Sequence, residues 1–160
     1  MRDKPFYLTW HDDPQELKEL SCGVIVVRKG QVLIEHVCRQ THWDLPKGTQ
    51  KLGETPRDTA LRKLKEETAI EALPEELIDI GWYHYNSFKD LYLFALFDDD
   101  LSEKKMYCCN AADKAYYPDD YQFVPPEQLP NFVCQSLEKL LYGELFQHIE
   151  KLLKSNESRA

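Results

Sequence analysis

The stretch from Pro46 to Asp58 constrains this chain more than any other. Pro46, Gly48 and Gly53 crowd into a short span of loop composition, and Thr55, Pro56 and Asp58 follow directly. Thr55 suits a helix N-cap, and Pro56 suits the first helical position, where its missing N–H is no loss. Asp58 then lies in the first turn, at the positive end of the helix dipole. Beyond this start Ala60, Leu61, Leu64 and Thr68 recur at helical spacing. The helix therefore packs one face on a core and turns another outward.

The flanks are strand-like. Ser21 to Arg39 reads as a β-hairpin, with Val24 to Val27 and Val32 to Ile34 on either side of a turn at Lys29 and Gly30. Two further strands are expected over Leu77 to Tyr85 and over Asp90 to Asp98, and a short one in Tyr121 to Val124, ended by Pro125 and Pro126. From about Asn131 to Leu153, Val133, Leu137, Leu140, Leu141, Leu145, Ile149, Leu152 and Leu153 keep helical spacing and predict a long amphipathic C-terminal helix. Strands, a helix, more strands and a last helix predict an α/β sandwich with a mixed sheet between helices, formed as one domain over residues 1–160.

Charge narrows the partners. With 28 acidic against 20 basic side chains the formal charge is −8, which disfavours bulk nucleic-acid binding through phosphates and attachment to an anionic membrane. No apolar stretch approaches the roughly 20 residues that cross a bilayer, and Met1 to Asp13 lacks the pattern of a signal peptide, so a cytoplasmic protein is expected. Cys22, Cys38, Cys108, Cys109 and Cys134 form an odd set without a C-x-x-C pair and read as reduced thiols. His11, His36, His42 and His84 stand apart from one another, and His42 is the one nearest the loop.

The chemistry concentrates on the first helix. Lys63, Glu66 and Glu67 stand at i, i+3 and i+4, so their side chains emerge together opposite the Leu61 and Leu64 stripe. Two converging carboxylates repel each other unless a cation lies between them, and hard oxygen donors suit Mg²⁺ or Mn²⁺. A solvated face in which Arg62 pairs with Glu66 is the plainer alternative.

Taken with the loop, Gly48, Glu54, Arg62, Leu64, Glu66, Glu67 and Ile70 resemble the Nudix box, G-x5-E-x7-R-E-U-x-E-E-x-G-U, with every spacing kept. The resemblance implies a Nudix-like α/β/α sandwich and an Mg²⁺- or Mn²⁺-dependent hydrolase that cleaves a pyrophosphate bond in a nucleoside diphosphate-linked substrate. It further implies that Glu66 and Glu67 are metal ligands, that Arg62 pairs with Glu54 to hold loop against helix, and that the backbone carbonyl of Lys47 joins the metal shell. Trp43 to Gly48 is similar to the W-x-L-P-K-G motif of the dinucleoside polyphosphate hydrolase branch, where the lysine would hold a phosphate.

Two positions depart from the box. Ala69 stands where the family has glycine, at a cost of about 1 kcal/mol if the site needs positive φ. Lys63 stands where the family has a further glutamate. An ammonium about 4 Å from a divalent ion is repelled by roughly 8 kcal/mol at an effective dielectric of 20. Lys63 therefore either swings away or displaces one metal and contacts Glu66, Glu67 or a substrate phosphate. A hydrolase with fewer metals and a degenerate Nudix domain that binds a nucleotide or protein without turnover both follow from that choice.

Trp82, Tyr83, Tyr85, Phe88 and Tyr92 form a dense aromatic group after the box. Tyr83 and Tyr85, on one face at period two, are the candidate platform for a nucleobase, with strand core as the alternative. Asp119 and Asp120 are the candidates for a base or additional metal ligand, while Asp98 to Asp100 read as a solvated turn.

Overall fold

The structure, a computed structural model, describes residues 8–10, 17–101, 106–109 and 117–157, and His11 lies outside them. In chain order the elements are β1 (Leu8–Trp10), β2 (Leu17–Arg28), β3 (Gln31–Val37), β4 (Trp43–Asp44), β5 (Lys47–Thr49), α1 (Pro56–Thr68), β6 (Ile78–His84), β7 (Lys89–Phe97), β8 (Pro118–Val124), α2 (Gln135–Leu140) and α3 (Phe146–Glu157). All eight strands join one sheet whose main path runs β4-β3-β2-β7-β6, with β1 and β5 on β2 and β8 on β3. Only β2 and β7 pair in parallel, so the sheet is mixed as expected.

The alternation along β2 separates two cores. Leu20, Cys22, Val24 and Val26 face α1 and pack with Ala60, Leu64, Tyr92 and Phe94. Ile25 and Val27 face the other way, where Val32, Ile34, Leu91 and Leu93 meet Leu137, Leu141, Leu145 and Ile149 of the C-terminal helices. Helices thus cover both faces of the sheet, the α/β/α sandwich anticipated above. The β2–β3 turn forms at Lys29 and Gly30, both with positive φ.

Helix α1 begins as its sequence predicts. Thr55 Oγ1 accepts from the Asp58 N–H at 3.1 Å and the Asp58 carboxylate accepts from the Thr55 N–H at 3.1 Å, a reciprocal capping box. It ends at Ala69, which takes the left-handed conformation at φ 64° and donates its N–H to the Lys65 carbonyl at 2.9 Å. The positive φ that explains a box glycine is therefore retained with alanine in place.

The C-terminal helix differs from the expected single run from Asn131. Pro126–Asn131 forms a 3-10 turn, in which Pro130 has no N–H to extend a helix, and helical structure starts only at Gln135. A π turn over Leu141–Leu145 with a kink at Gly143 (φ −76°, ψ −107°) then joins α2 to α3, which runs on to Glu157. The break still leaves Leu137, Leu141, Leu145 and Ile149 buried in one line. Among the described residues, no helix is long and apolar enough to cross a membrane.

Candidate active site

Arg62 ties the loop to the helix. Its Nε donates to Glu54 Oε2 at 2.7 Å and its Nη2 to Glu54 Oε1 at 3.0 Å, a bidentate pair, while Nη2 also donates to the Thr49 carbonyl at 3.1 Å. Glu54 accepts further from the Lys51 N–H at 2.9 Å and from Thr59 Oγ1 at 3.0 Å. Burial alone would raise its pKa, but the hydrogen bonds from Arg62, Lys51 and Thr59, together with the Arg62 charge, hold the carboxyl down at about 2. The expected Glu54–Arg62 clamp is present, and so is the plainer contact, Arg62 Nη1 to Glu66 at 3.3 Å.

Lys63 does not swing away. Its Nζ stands 3.3 Å from Glu66 Oε2 and 3.3 Å from Glu67 Oε1, so the cation between the two carboxylates is this ammonium. Gly48 makes room for the stem: a Cβ there would stand 2.2 Å from Lys63 Cε and 2.6 Å from Cδ. Two residues that the box spaces fifteen apart are in direct contact, and a side chain at position 48 would have to displace the Lys63 stem.

Glu67, Lys63, Lys47, Asp44 and Glu35 line one cavity of about 210 Å³. Lys47 Nζ pairs with Asp44 Oδ2 at 3.1 Å. Burial pulls the Lys47 pKa down, but the charge and hydrogen bond of Asp44 and the charge of Glu67 outweigh it, and the ammonium is kept. Small-molecule sites commonly measure 300–1,000 Å³. This cavity therefore suits phosphates and a cation, and the rest of a nucleotide must lie elsewhere.

A wider groove of about 650 Å³ includes Tyr83 and Tyr85 in its lining. The Tyr85 ring centroid lies 5.5 Å from Lys47 Nζ, which links groove to cavity. Tyr85 hydrogen bonds Cys134 Sγ at 3.1 Å, and burial raises its phenol pKa. Tyr83 is 6% exposed, its phenol pushed up to about 12 chiefly by burial, and it hydrogen bonds His148 Nδ1. Of the two, Tyr85 is the more exposed, half-buried where Tyr83 is buried. Tyr92 is buried, and Phe88 is exposed to solvent.

Asp119 and Asp120 are exposed on β8 and line neither space. Asp119 Oδ1 instead contacts His36 Nδ1 at 2.5 Å, and that hydrogen bond raises the His36 pKa. His36 and His84 are thus not isolated, since Lys18 Nζ also meets His84 Nδ1 at 2.6 Å beside the buried Asp90.

Glu35 escapes the motif reading. On β3 it alternates with Ile34 and shares a face with Leu33, so it points toward α1. It is 1% exposed, and burial, a hydrogen bond to Glu67 and the charges of Glu67 and Asp44 push its pKa well above the carboxylate range, against a smaller pull from Lys47. The available signal was a lone charged residue in the run Val32-Leu33-Ile34-Glu35. Tyr121, its partner across the β3–β8 ladder, donates its hydroxyl to the Glu67 carbonyl.

Among the described residues, no group of three or more His, Cys, Asp or Glu stands ready to hold a metal ion. A two-carboxylate site does fit the donors present. Glu35 Oε1 is buried without a hydrogen-bond partner, and carboxylate oxygens are the donors a hard divalent cation takes.

The NUDIX domain model matches residues 17–142, which include the clamp, the cavity and the helix that carries them. The chain belongs to the NUDIX family. Solved structures agree in fold. The NUDIX domain of Shewanella oneidensis NrtR, complexed with ADP ribose, matches at TM-score 0.63 and 14% identity over 90% of this chain and 94% of that one. A C. elegans Ap4A hydrolase binary complex matches at TM-score 0.58 and 18% identity, covering 85% and 98%. A MutT/nudix family protein from Enterococcus faecalis matches at TM-score 0.55 and 15% identity over 66% of this chain, which spans 43% of that one's length. No curated protein is significantly similar to the chain in sequence. These neighbours single out no one branch of the NUDIX family.

Proposed function

We propose that this NUDIX chain is a divalent-metal-dependent hydrolase that cleaves a pyrophosphate bond in a nucleoside diphosphate-linked substrate and works as a single domain. Family membership is consistent with that activity. The observation that carries the reading is the 210 Å³ cavity, in which carboxylates suited to a hard cation stand beside Lys47 and Lys63, two ammonium groups suited to phosphate.

In this reading Glu67 and the Lys47 carbonyl would hold an Mg²⁺ or Mn²⁺ ion, while Glu66, the other ligand the box implies, is turned to Arg62 and Lys63. Such an ion neutralises the diphosphate and makes a water more acidic. Lys63 replaces part of the positive charge that a fully carboxylate box would recruit as a second metal. Lys47 orients a phosphate as a point charge, and Arg62 and Glu54 keep Thr49 and α1 in register. Water adds across the P–O–P linkage: its oxygen ends on one phosphate, the bridging oxygen leaves with the other, and the proton passes to solvent.

The remainder of the substrate lies along the groove beside Tyr85 and Tyr83, with Tyr85 as the stacking surface. Within this substrate class the Trp43 to Gly48 motif favours a dinucleoside polyphosphate. Asp119 remains a candidate base only if its pairing with His36 opens on substrate binding. The other reading, nucleotide binding without turnover, is favoured by one contact, the Lys63 ammonium at 3.3 Å from both box carboxylates.

The test is a screen with Mg²⁺ and with Mn²⁺ against dinucleoside polyphosphates, nucleoside triphosphates, nucleotide sugars, ADP-ribose and dinucleotide cofactors, with Glu67→Gln as the control. Metal-dependent release of a nucleotide by the parent and its loss in the control are expected. Retained ligand binding with no turnover of any compound establishes the binding module instead.

A further inference from the structure

A further carboxylate of this site comes from the sheet. We propose that Glu35, buried on β3 against Glu67 with one oxygen unpartnered, is a ligand for the divalent cation and takes the part of the box carboxylate that Lys63 replaces. The inference rests on the hydrolase reading for its purpose, though its test does not.

Three observations lead there. Lys63 Nζ occupies the space between Glu66 and Glu67, and its charge keeps a divalent ion out of that space. Glu66 is committed further to Arg62, whereas Glu67 faces the cavity. A carboxylate offers about four acceptor directions, so the Lys63 contact does not exhaust Glu67, and Glu35 lines the same cavity.

Burying a polar oxygen without a partner is costly, and native structures rarely do so. Glu35 Oε1 is such an atom, on a side chain that lines a polar cavity. The pairing geometry makes the placement rigid. Tyr121 is opposite Glu35 in the β3–β8 ladder and bonds the backbone of Glu67, so the strand carrying one ligand is fastened to the helix carrying the other. Two carboxylates plus substrate phosphates and water form an ordinary Mg²⁺ or Mn²⁺ shell.

Mn²⁺ binding to the 160-residue chain, measured by electron paramagnetic resonance without nucleotide, tests this. Glu35→Gln keeps the shape of a carboxyl and is expected to weaken Mn²⁺ binding about 100-fold, as does Glu67→Gln, with the metal-free melting temperature unchanged. Glu35→Asp, which keeps the charge on a shorter stem, is expected to fall between Glu35→Gln and the parent. Parent-like Mn²⁺ affinity in Glu35→Gln beside a loss in Glu67→Gln overturns the role of Glu35 and leaves the hydrolase reading standing. Glu35-dependent Mn²⁺ binding in a chain that turns over no substrate supports Glu35 as a ligand while the hydrolase reading falls. A parent that binds no Mn²⁺ overturns the role of Glu35 outright.

Discussion

Arg62 and Lys63 are consecutive cations on one helix, and each stands between carboxylates, yet they do different things. Arg62 spreads a planar fork over Glu54, Thr49 and Glu66, and its contacts with Glu54 and Thr49 bind loop to helix. Lys63, about 100° further round the helix, sends one point charge over Gly48 to Glu66 and Glu67. The first pair positions the site. The second changes which charge the site holds, and a single replacement at position 63 thereby alters the chemistry while the architecture stays that of the family.

Four changes press on that contrast, in falling order of effect. Glu67→Gln removes the carboxylate the chemistry depends on, and metal-dependent turnover is expected to fall about 1,000-fold, equivalent to about 4 kcal/mol, with the melting temperature little changed. Equal losses of stability and activity would erase the distinction between the two cations.

Arg62→Met breaks the clamp and leaves Glu54 without its partner. Chemical denaturation is expected to show a loss of about 3 kcal/mol, since removing one side of a largely buried pair is costly. A stability change below about 1 kcal/mol would reduce the clamp to a surface ion pair.

The pH dependence follows from Glu54. Its folded pKa, held at about 2, lies below the ordinary value of 4.5, so its contribution is complete above about pH 5 and is lost as pH falls toward 2. That contribution is at most on the order of 3 kcal/mol by linkage, and Glu54→Gln is expected to flatten the acid limb of the stability profile between pH 5 and 2. An unchanged limb would place the acid sensitivity elsewhere.

Ala69→Gly, which restores the family residue at φ 64°, is expected to stabilise the chain by about 1 kcal/mol in the same denaturation assay. Destabilisation would mean that the alanine methyl packs usefully at the helix end.

Much of this was legible in the residues. The apolar runs Val24 to Val27 and Val32 to Ile34 mark the hairpin that β2 and β3 form, and Thr55, Pro56 and Asp58 place the helix start where the capping box forms. These are local signals carried by neighbours in sequence. The residues alone leave open whether Lys63 meets the box carboxylates or swings away, because the outcome depends on the space that Gly48 leaves beneath its stem. Glu35 was illegible because its function depends on which helix its strand faces, and no motif spans that distance. His148 meets Tyr83 for the same reason, across 65 residues. The helix expected from Asn131 ignored Pro130 and Gly143, whose backbone effects override an apolar period that otherwise holds.

The central claim, that the chain turns over a nucleotide-linked diphosphate with Lys63 in place, is tested most directly by comparing the parent with Lys63→Glu in steady-state hydrolysis under saturating Mg²⁺. The account expects a parent already active, lost on Glu67→Gln, and a Lys63→Glu variant within about tenfold of it. An inert parent that becomes a strongly Mg²⁺-dependent hydrolase on gaining the glutamate would contradict it.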